Sequence, residues 1–150
     1  MIFGTPPIGS GPAGFAGFKN LSPTAFTAAP TEAQIEEWMH TAFAPGYAPI
    51  PAFVLEDFRR TDGNARACLG AVAQSGGLAD ETEIVRNLKI PIAIVQGAEE
   101  QIVDLGYLQR LAAPTLWRGA VQVVEGAGHS TQWERPEAFN ALLDAFASGA

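Results

Sequence analysis

With 150 residues, of which 47% are hydrophobic and 17% charged, and a mean hydropathy of +0.10, the chain is long enough for one domain with a single core. Its net charge of −7 excludes a nucleic acid as partner, because binding a phosphate backbone requires clustered Lys and Arg. No stretch approaches the ~20 apolar residues of a membrane helix, so we expect no membrane partner. One cysteine cannot form an internal disulfide, which permits the cytoplasmic location that we expect. The single cysteine, Cys68, has no neighbours at metal-ligand spacing; we expect neither metal nor cofactor, and a small buried apolar role for Cys68.

The first thirty residues predict a short strand followed by a long loop. Met1 to Phe3 are apolar and stop at Gly4, which fits the C-terminal end of a buried strand. Residues 8–30 consist mainly of Gly, Pro, Ala and Ser, whose spacing leaves little room for regular structure. Loops of this length are usually functional or part of a lid.

The region that follows predicts helices. Thr31 is a good N-cap, and Gln34 at the third helical position completes a capping box for a helix that runs to about Phe43. The Pro45-Gly46 pair ends this helix. Further helices are predicted over 51–59, from a cap at Thr61 or Asp62 to Gln74, and, as a short acidic helix or turn, over 80–86.

The last part of the chain alternates strands with helices. The segment 90–96 is the clearest strand, and its run of β-branched residues predicts burial on both faces. A second buried strand is predicted over 120–124, and helices over 105–112 and 136–147. This alternation implies right-handed crossovers and a parallel sheet, so the predicted fold class is α/β.

Polar residues follow both of these strands at the point where each strand ends. Glu99 and Glu100 follow the first strand, and His129 lies in the glycine-rich turn after the second. Catalytic groups collect at the carboxyl ends of parallel strands, so a carboxylate and an imidazole are expected to meet there. A lone histidine in such a turn is more often structural, whereas a paired one can have its tautomer fixed by the acid.

The chain resembles the α/β-hydrolase family in two segments, IPIAIVQGAEEQIVDLGYLQRL and GAVQVVEGAGHSTQWERPEAFNALLDAF, which correspond to the family's last two strands and helices. In that family a strand ending in Gly-x-x-Asp or Gly-x-x-Glu supplies the acid, and a later Gly-x-Gly-His supplies the base. The resemblance implies that Glu100, three residues after Gly97, is the acid and that His129 is the base. The family's usual continuation is also matched by Trp133, Glu134 and Pro136.

The resemblance further implies a partial α/β-hydrolase fold with a sheet of about three strands. Residues 1–7 would be a strand and turn of the hydrolase core, 8–86 a lid-like region of loops and helices, and 87–150 the C-terminal core. The sheet would begin at the sixth of eight strands, without the nucleophile elbow or the oxyanion-hole loop. No Gly-x-Ser-x-Gly occurs in the sequence, and neither Ser10 nor Ser75 follows a predicted strand.

These observations imply a hydrolase-derived protein that is inactive alone. The complete enzyme would act on an ester, thioester, lactone, amide or carbon–carbon bond of a small-molecule substrate by a Ser-His-acid mechanism. Trp38 and Trp133 are the candidate substrate-binding residues, although an aromatic helix face such as that of Trp38 is more often core.

The alternative is a non-catalytic module that self-associates or binds a partner. A first strand without its neighbour exposes a bare edge, and bare edges favour association. We therefore expect a homo-oligomer or the binding of a missing N-terminal segment.

Overall fold

Three parallel strands form the sheet at the centre of the fold. The computed structural model describes residues 1–149, with the backbone alone at 12 and 13. Strands β1 (Ile2–Phe3), β2 (Ile94–Gly97) and β3 (Gln122–Val124) pair in the order β1-β2-β3, and both pairs are parallel. This sheet confirms the α/β fold class that the alternation of strands and helices predicts.

Helices flank the sheet, and each predicted helix begins and ends within two residues of its expected bounds. The helices are α1 (Glu32–Thr41), α2 (Ala52–Arg60), α3 (Gly63–Gln74), α4 (Glu81–Asn87), α5 (Leu105–Arg110), α6 (Thr131–Glu134) and α7 (Pro136–Ser148). Short 3-10 helices lie at Pro12–Gly17, Pro23–Phe26 and Trp117–Gly119. Side-chain caps fix the starts of α1, α3, α4 and α5, because each accepts a backbone amide that has no partner inside its helix; the caps are Thr31, Asp62, Asp80 and Asp104.

The capping box of α1 is present as expected. The Thr31 hydroxyl accepts a hydrogen bond from the Gln34 amide at 3.3 Å, and the Gln34 side-chain oxygen accepts one from the Thr31 amide at 2.9 Å. The sequence left two candidates for the cap of α3, and the structure uses Asp62, whose carboxylate accepts the Asn64 amide at 2.9 Å.

Strand β2 begins later than predicted. Ile90 is 66% exposed, and Ile92 forms only an isolated parallel bridge with Leu116 before the regular ladder starts. Pro91 explains the delay, because it has no N–H group to donate to a neighbouring strand. Residues 92–97 are buried, so burial on both faces is confirmed for the strand proper.

The expectation that Cys68 is buried is wrong. Helix α3 turns Gly70 and Ala73 inward, and a Cβ on Gly70 would lie 2.8 Å from the Cβ of Phe26. Cys68 lies on a different face of the same helix and is exposed. A short apolar helix does not show from its sequence which face it buries, because small residues can pack closely where larger ones cannot.

The loop before α1 is fastened to the rest of the fold by hydrogen bonds. The Lys19 amide donates to the Ile102 carbonyl at 2.9 Å, and the Tyr107 hydroxyl donates to the Pro7 carbonyl at 2.7 Å. Asp80 accepts the Ser10 amide, and the Thr82 hydroxyl with the Glu83 amide lowers the pKa of Asp80 to about 2.

Apolar side chains pack in three clusters. Val95, Val124 and Phe139 pack together where α7 crosses the sheet, and a second cluster includes Ile94 and Leu108 of α5. The third, which we call the cap cluster, joins α1 to α2 and consists of Ile35, Met39, Ala42, Phe43, Val54 and Phe58. Helices α1 and α2 therefore share a small hydrophobic core that is separate from the clusters on the sheet.

Part of the sheet is left uncovered. Among the described residues β1 pairs with β2 alone, and its Phe3 side chain is 40% exposed. Val123 of β3 is 39% exposed, although a buried strand was predicted there. Between residues 1 and 149 no helix has the length and apolar character needed to cross a bilayer.

Candidate active site

The turns that follow β2 and β3 touch one another. Gly97 ends β2, and any side chain on it would collide with the carbonyl oxygens of Ala127 and Gly128. The Ala98 amide donates to the Val124 carbonyl and the Glu99 amide to the Ala127 carbonyl, both at 2.9 Å. The glycine is thus required by the close approach of the two turns, which brings their polar residues together.

Glu100 and His129 form a hydrogen-bonded pair at this point. One carboxylate oxygen of Glu100 lies 2.9 Å from His129 Nδ1, and the other accepts the Ile102 amide at 2.7 Å. Glu100 is only 5% exposed, so water competes little for its oxygens. An ionised carboxylate can only accept, so this pairing places the imidazole proton on Nδ1 and leaves Nε2 free to accept a proton.

The neighbouring acidic residues have other roles. Glu99 is exposed, and Asp104 caps α5 by accepting the Tyr107 amide at 2.7 Å. Of the acids near the end of β2, Glu100 is therefore the one that the structure brings to the imidazole. The family resemblance implied Glu100 from its spacing of three residues after Gly97, and Glu100 is the acid that contacts His129.

The histidine turn is held by close backbone packing. A Cβ on Gly128 would collide with the backbone of Phe43 and Ala44, the segment that leaves α1. The carbonyl of Gly128 accepts the Thr131 hydroxyl at 3.0 Å. Gly126 has φ +67°, a conformation that glycine adopts without strain. Both glycines of the Gly-x-Gly-His motif therefore have a conformational or packing reason.

A cavity of about 410 Å³ opens beside His129. Met39 and Phe58 of the cap cluster line one side together with Trp38, which packs against the cluster. Ser130, Gln132 and Trp133 line the side of the histidine turn. Strand β1 contributes its end: a Cβ on Gly4 would lie 3.7 Å from His129 Nε2. The free imidazole nitrogen therefore lies near the carboxyl end of β1, at the wall of a largely apolar cavity.

The two candidate substrate-binding tryptophans both line this cavity. The Trp38 ring lies 4.9 Å from that of Phe58, so Trp38 packs against the cap cluster and also lines the cavity. Trp133 is 43% exposed and contacts Phe53 edge-on at 5.4 Å between ring centroids. For Trp38, packing in the core and lining a cavity are therefore compatible.

Two residues that hold the site together were missed as functional candidates. Glu134 is buried and accepts the backbone amides of Ala44, which follows α1, and of Gly128, which precedes His129. The Gln101 side-chain amide donates to the His40 carbonyl at 2.9 Å and to the Phe43 carbonyl at 2.7 Å. Glu134 had a signal, since it lies in the motif that continues after the histidine, whereas the sequence around Gln101 offers none.

The candidate nucleophiles considered from the sequence do not reach the cavity. Ser10 lies near Asp80, and the exposed Ser75 donates its hydroxyl to the Val72 carbonyl at the end of α3. Residues 1–149 also contain no group of three or more His, Cys, Asp or Glu side chains arranged to hold a metal ion.

Solved structures that resemble the chain are hydrolases. N-acyl homoserine lactonase AidH, solved in complex with N-butanoyl homoserine, is 32% identical with a TM-score of 0.85, and the match covers 98% of this chain and 53% of AidH. A serine hydrolase involved in carbazole degradation, CarC, is 19% identical with a TM-score of 0.62 over 80% of this chain and 48% of its own. An α/β hydrolase fold protein from Burkholderia ambifaria is 27% identical with a TM-score of 0.56, over 80% and 46% of the two chains.

The chain thus spans about half the length of the structures that it matches. No protein-family model and no curated protein matched the sequence. The parallel order β1-β2-β3, followed by α7, corresponds to the end of the hydrolase sheet that the two motifs indicated. The chain has the α/β-hydrolase fold and corresponds to a C-terminal portion of that fold.

Proposed function

We propose that this chain supplies the base and the acid of a Ser-His-acid hydrolase, with His129 as base and Glu100 as the group that orients it. The observation that carries the proposal is the 2.9 Å contact between His129 Nδ1 and the buried Glu100 carboxylate at the ends of neighbouring parallel strands. The nucleophile and the oxyanion hole would come from polypeptide that this sequence does not contain. A strand paired in parallel with the free edge of β1 would end near Gly4, close to His129 Nε2.

The proposed chemistry follows from the position of the two imidazole nitrogens. Nε2 takes the proton from a serine hydroxyl as its oxygen attacks the carbonyl carbon, and the same proton is then delivered to the leaving oxygen. In the second half-reaction Nε2 takes a proton from water, which attacks the acyl-enzyme, and returns it to the serine. Glu100 stabilises the imidazolium that forms in each half and keeps Nδ1 protonated.

The cavity supports a small acyl substrate within the broad range of ester, thioester, lactone, amide and carbon–carbon bonds. Its walls are largely aromatic and aliphatic, which suits an acyl chain, and its volume of about 410 Å³ suits a small molecule. AidH, at 32% identity, was solved with N-acyl homoserine ligands. We therefore propose an N-acyl lactone as the first substrate to test.

We also propose a cytoplasmic location, because the free Cys68 is compatible with a reducing compartment.

The test is to complete the fold. The chain alone should not hydrolyse N-hexanoyl homoserine lactone or a p-nitrophenyl ester, because most of the rate in acyl transfer depends on the nucleophile and the oxyanion hole. The same chain preceded by the N-terminal half of AidH, which we call the completed enzyme, should open the lactone. A folded completed enzyme without esterase or lactonase activity would contradict the proposal, and turnover by the chain alone would contradict its inactivity.

A non-catalytic, self-associating module is the second candidate. The free edge of β1 lies beside a groove of about 410 Å³ lined by Ile2, Pro6, Ile84, Val85 and Leu88. Exposed strand edges beside apolar surface favour pairing with another chain. If the module interpretation holds, light scattering at micromolar concentration should give the mass of a dimer or larger oligomer, and a clean monomer would count against it. A Gly-x-Ser-x-Gly in the reading frame upstream of Met1 would favour the enzyme.

A further inference from the structure

Glu134 is a buried carboxylate held only by backbone amides. It is 5% exposed, and its two oxygens accept the Ala44 amide at 2.6 Å and the Gly128 amide at 2.8 Å. Within residues 1–149 no Lys, Arg or His side chain forms an ion pair with it. Burying a charge is costly unless strong hydrogen bonds compensate, and bonds of this length to a carboxylate are of the strong kind.

The two amides belong to segments that are far apart in sequence and that each adjoin residues lining the cavity. Ala44 follows α1, which contributes Trp38 and Met39 to the cavity, and lies 90 residues away from Glu134 in sequence. Gly128 directly precedes His129. One side chain therefore joins the cap cluster to the turn that carries the imidazole.

The backbone before His129 is consequently fixed at both of its polar groups. The amide of Gly128 is held by Glu134, and its carbonyl is held by the Thr131 hydroxyl. The peptide that enters His129 therefore has little freedom to rotate. Its orientation sets the direction of the imidazole, and with it the approach of Nδ1 to Glu100.

We propose that Glu134 is a positioning residue that keeps His129 in register with Glu100 and fastens the cap wall of the cavity to the same turn. The inference rests on the proposed role of His129 as the base. Glu134 does not contact the reacting atoms; it acts through Gly128. Without it, the turn and the cap segment would separate, and the imidazole would sample orientations in which Nδ1 no longer faces the acid.

The test uses the full chain with Glu134→Gln, which keeps the shape of the side chain but turns one acceptor into a donor that faces an N–H group. Glu81→Gln is the matched control, because the Glu81 carboxylate also accepts a distant backbone amide, that of Ile8 at 3.0 Å, and lines no part of the cavity beside His129. The readout is the ¹⁵N NMR spectrum of the neutral imidazole, which reports the tautomer. His40, which is exposed, serves as an internal reference in the same spectra.

The unmodified chain and Glu81→Gln should show His129 with the proton held on Nδ1. Glu134→Gln should lose this single-tautomer signature, with both ring nitrogens moving toward averaged shifts while those of His40 stay unchanged. A folded Glu134→Gln chain that keeps the Nδ1 tautomer would overturn the proposal. Mere loss of stability would not change the tautomer of the molecules that remain folded.

If Glu134→Gln does not fold, the unmodified chain decides. The measurement is the scalar coupling across each hydrogen bond, from the Gly128 and Ala44 amide nitrogens to the Glu134 carboxyl carbon. Both couplings together support the positioning role of Glu134, and the absence of both overturns it. The lactonase assay of the completed enzyme is independent of these spectra. If the completed enzyme is inactive but the tautomer changes as expected, the enzymatic function is wrong and the positioning role of Glu134 stands. If the completed enzyme is active but the tautomer does not change, only the positioning role is wrong.

Discussion

Replacing His129 by alanine in the completed enzyme is expected to lower kcat for lactone opening by roughly 10⁴- to 10⁶-fold. Among the residues that the structure describes, His129 is the candidate base whose Nδ1 is held by a buried acid and whose Nε2 faces the cavity region beside Gly4. Removing it leaves the nucleophile hydroxyl without a proton acceptor. The measurement is kcat and KM for N-hexanoyl homoserine lactone, and KM should change far less than kcat.

His40→Ala is the matched control, since the chain contains two histidines and His40 is exposed on α1. It should leave kcat within about twofold, because a surface substitution away from the site has little effect. Equal activity in the two histidine variants would exclude His129 as the base.

Glu100→Gln should reduce kcat by roughly 10⁴-fold, since an amide preserves the shape of the side chain but favours the wrong imidazole tautomer.

Local signals in the sequence were sufficient for much of the fold. The capping box of Thr31 and Gln34 predicted the start of α1, because the two side chains satisfy amides within four residues of each other. The run of β-branched residues before Gly97 predicted a buried strand, because this signal also lies within a few consecutive residues. The rule that polar groups collect at the carboxyl ends of parallel strands predicted that a carboxylate would meet His129, whereas the choice of Glu100 rested on the resemblance to the α/β-hydrolase family.

Contacts between distant segments could not be predicted in this way. The bonds from Glu134 to Ala44 and from Gln101 to Phe43 join residues 90 and 58 positions apart, and no periodicity in the sequence indicates them. The exposure of Cys68 depends on how closely Gly70 approaches Phe26, which is again a tertiary contact. Local pattern and the family resemblance therefore predicted the helices, the strands and the pairing of Glu100 with His129. Long-range packing determined how the cap cluster joins the turns that carry these two residues.

The segment that leaves α1 is the place where this long-range packing concentrates. Gln101, next to the acid, holds the carbonyls of His40 and Phe43, while Glu134 holds the amide of Ala44. The backbone there also lies against Gly128, so a side chain cannot be inserted between them. The cap cluster is consequently anchored to the turns of Glu100 and His129 at the point where the chain leaves α1.

Phe43 is the side chain that seals this junction, and Phe43→Ala is expected to lower the free energy of unfolding by about 3–5 kcal/mol. Its ring is 1% exposed, stacks on Tyr47 at 5.0 Å and lies 6.4 Å from Trp133, so truncation leaves a cavity between the cap and the histidine turn. Phe53→Ala is the control: Phe53 also contacts Trp133, but it is 45% exposed and should cost only about 1 kcal/mol.

Urea unfolding followed by tryptophan fluorescence measures both losses, and Trp133, one of the three tryptophans, contacts both phenylalanines. A total stability of about 5–15 kcal/mol is typical of a domain, so Phe43→Ala should bring the chain close to the limit of folding while Phe53→Ala does not. Equal midpoints for the two variants would mean that the cap does not depend on the junction at Phe43. In that case the anchoring by Glu134 and Gln101 alone would have to hold the cavity wall beside His129.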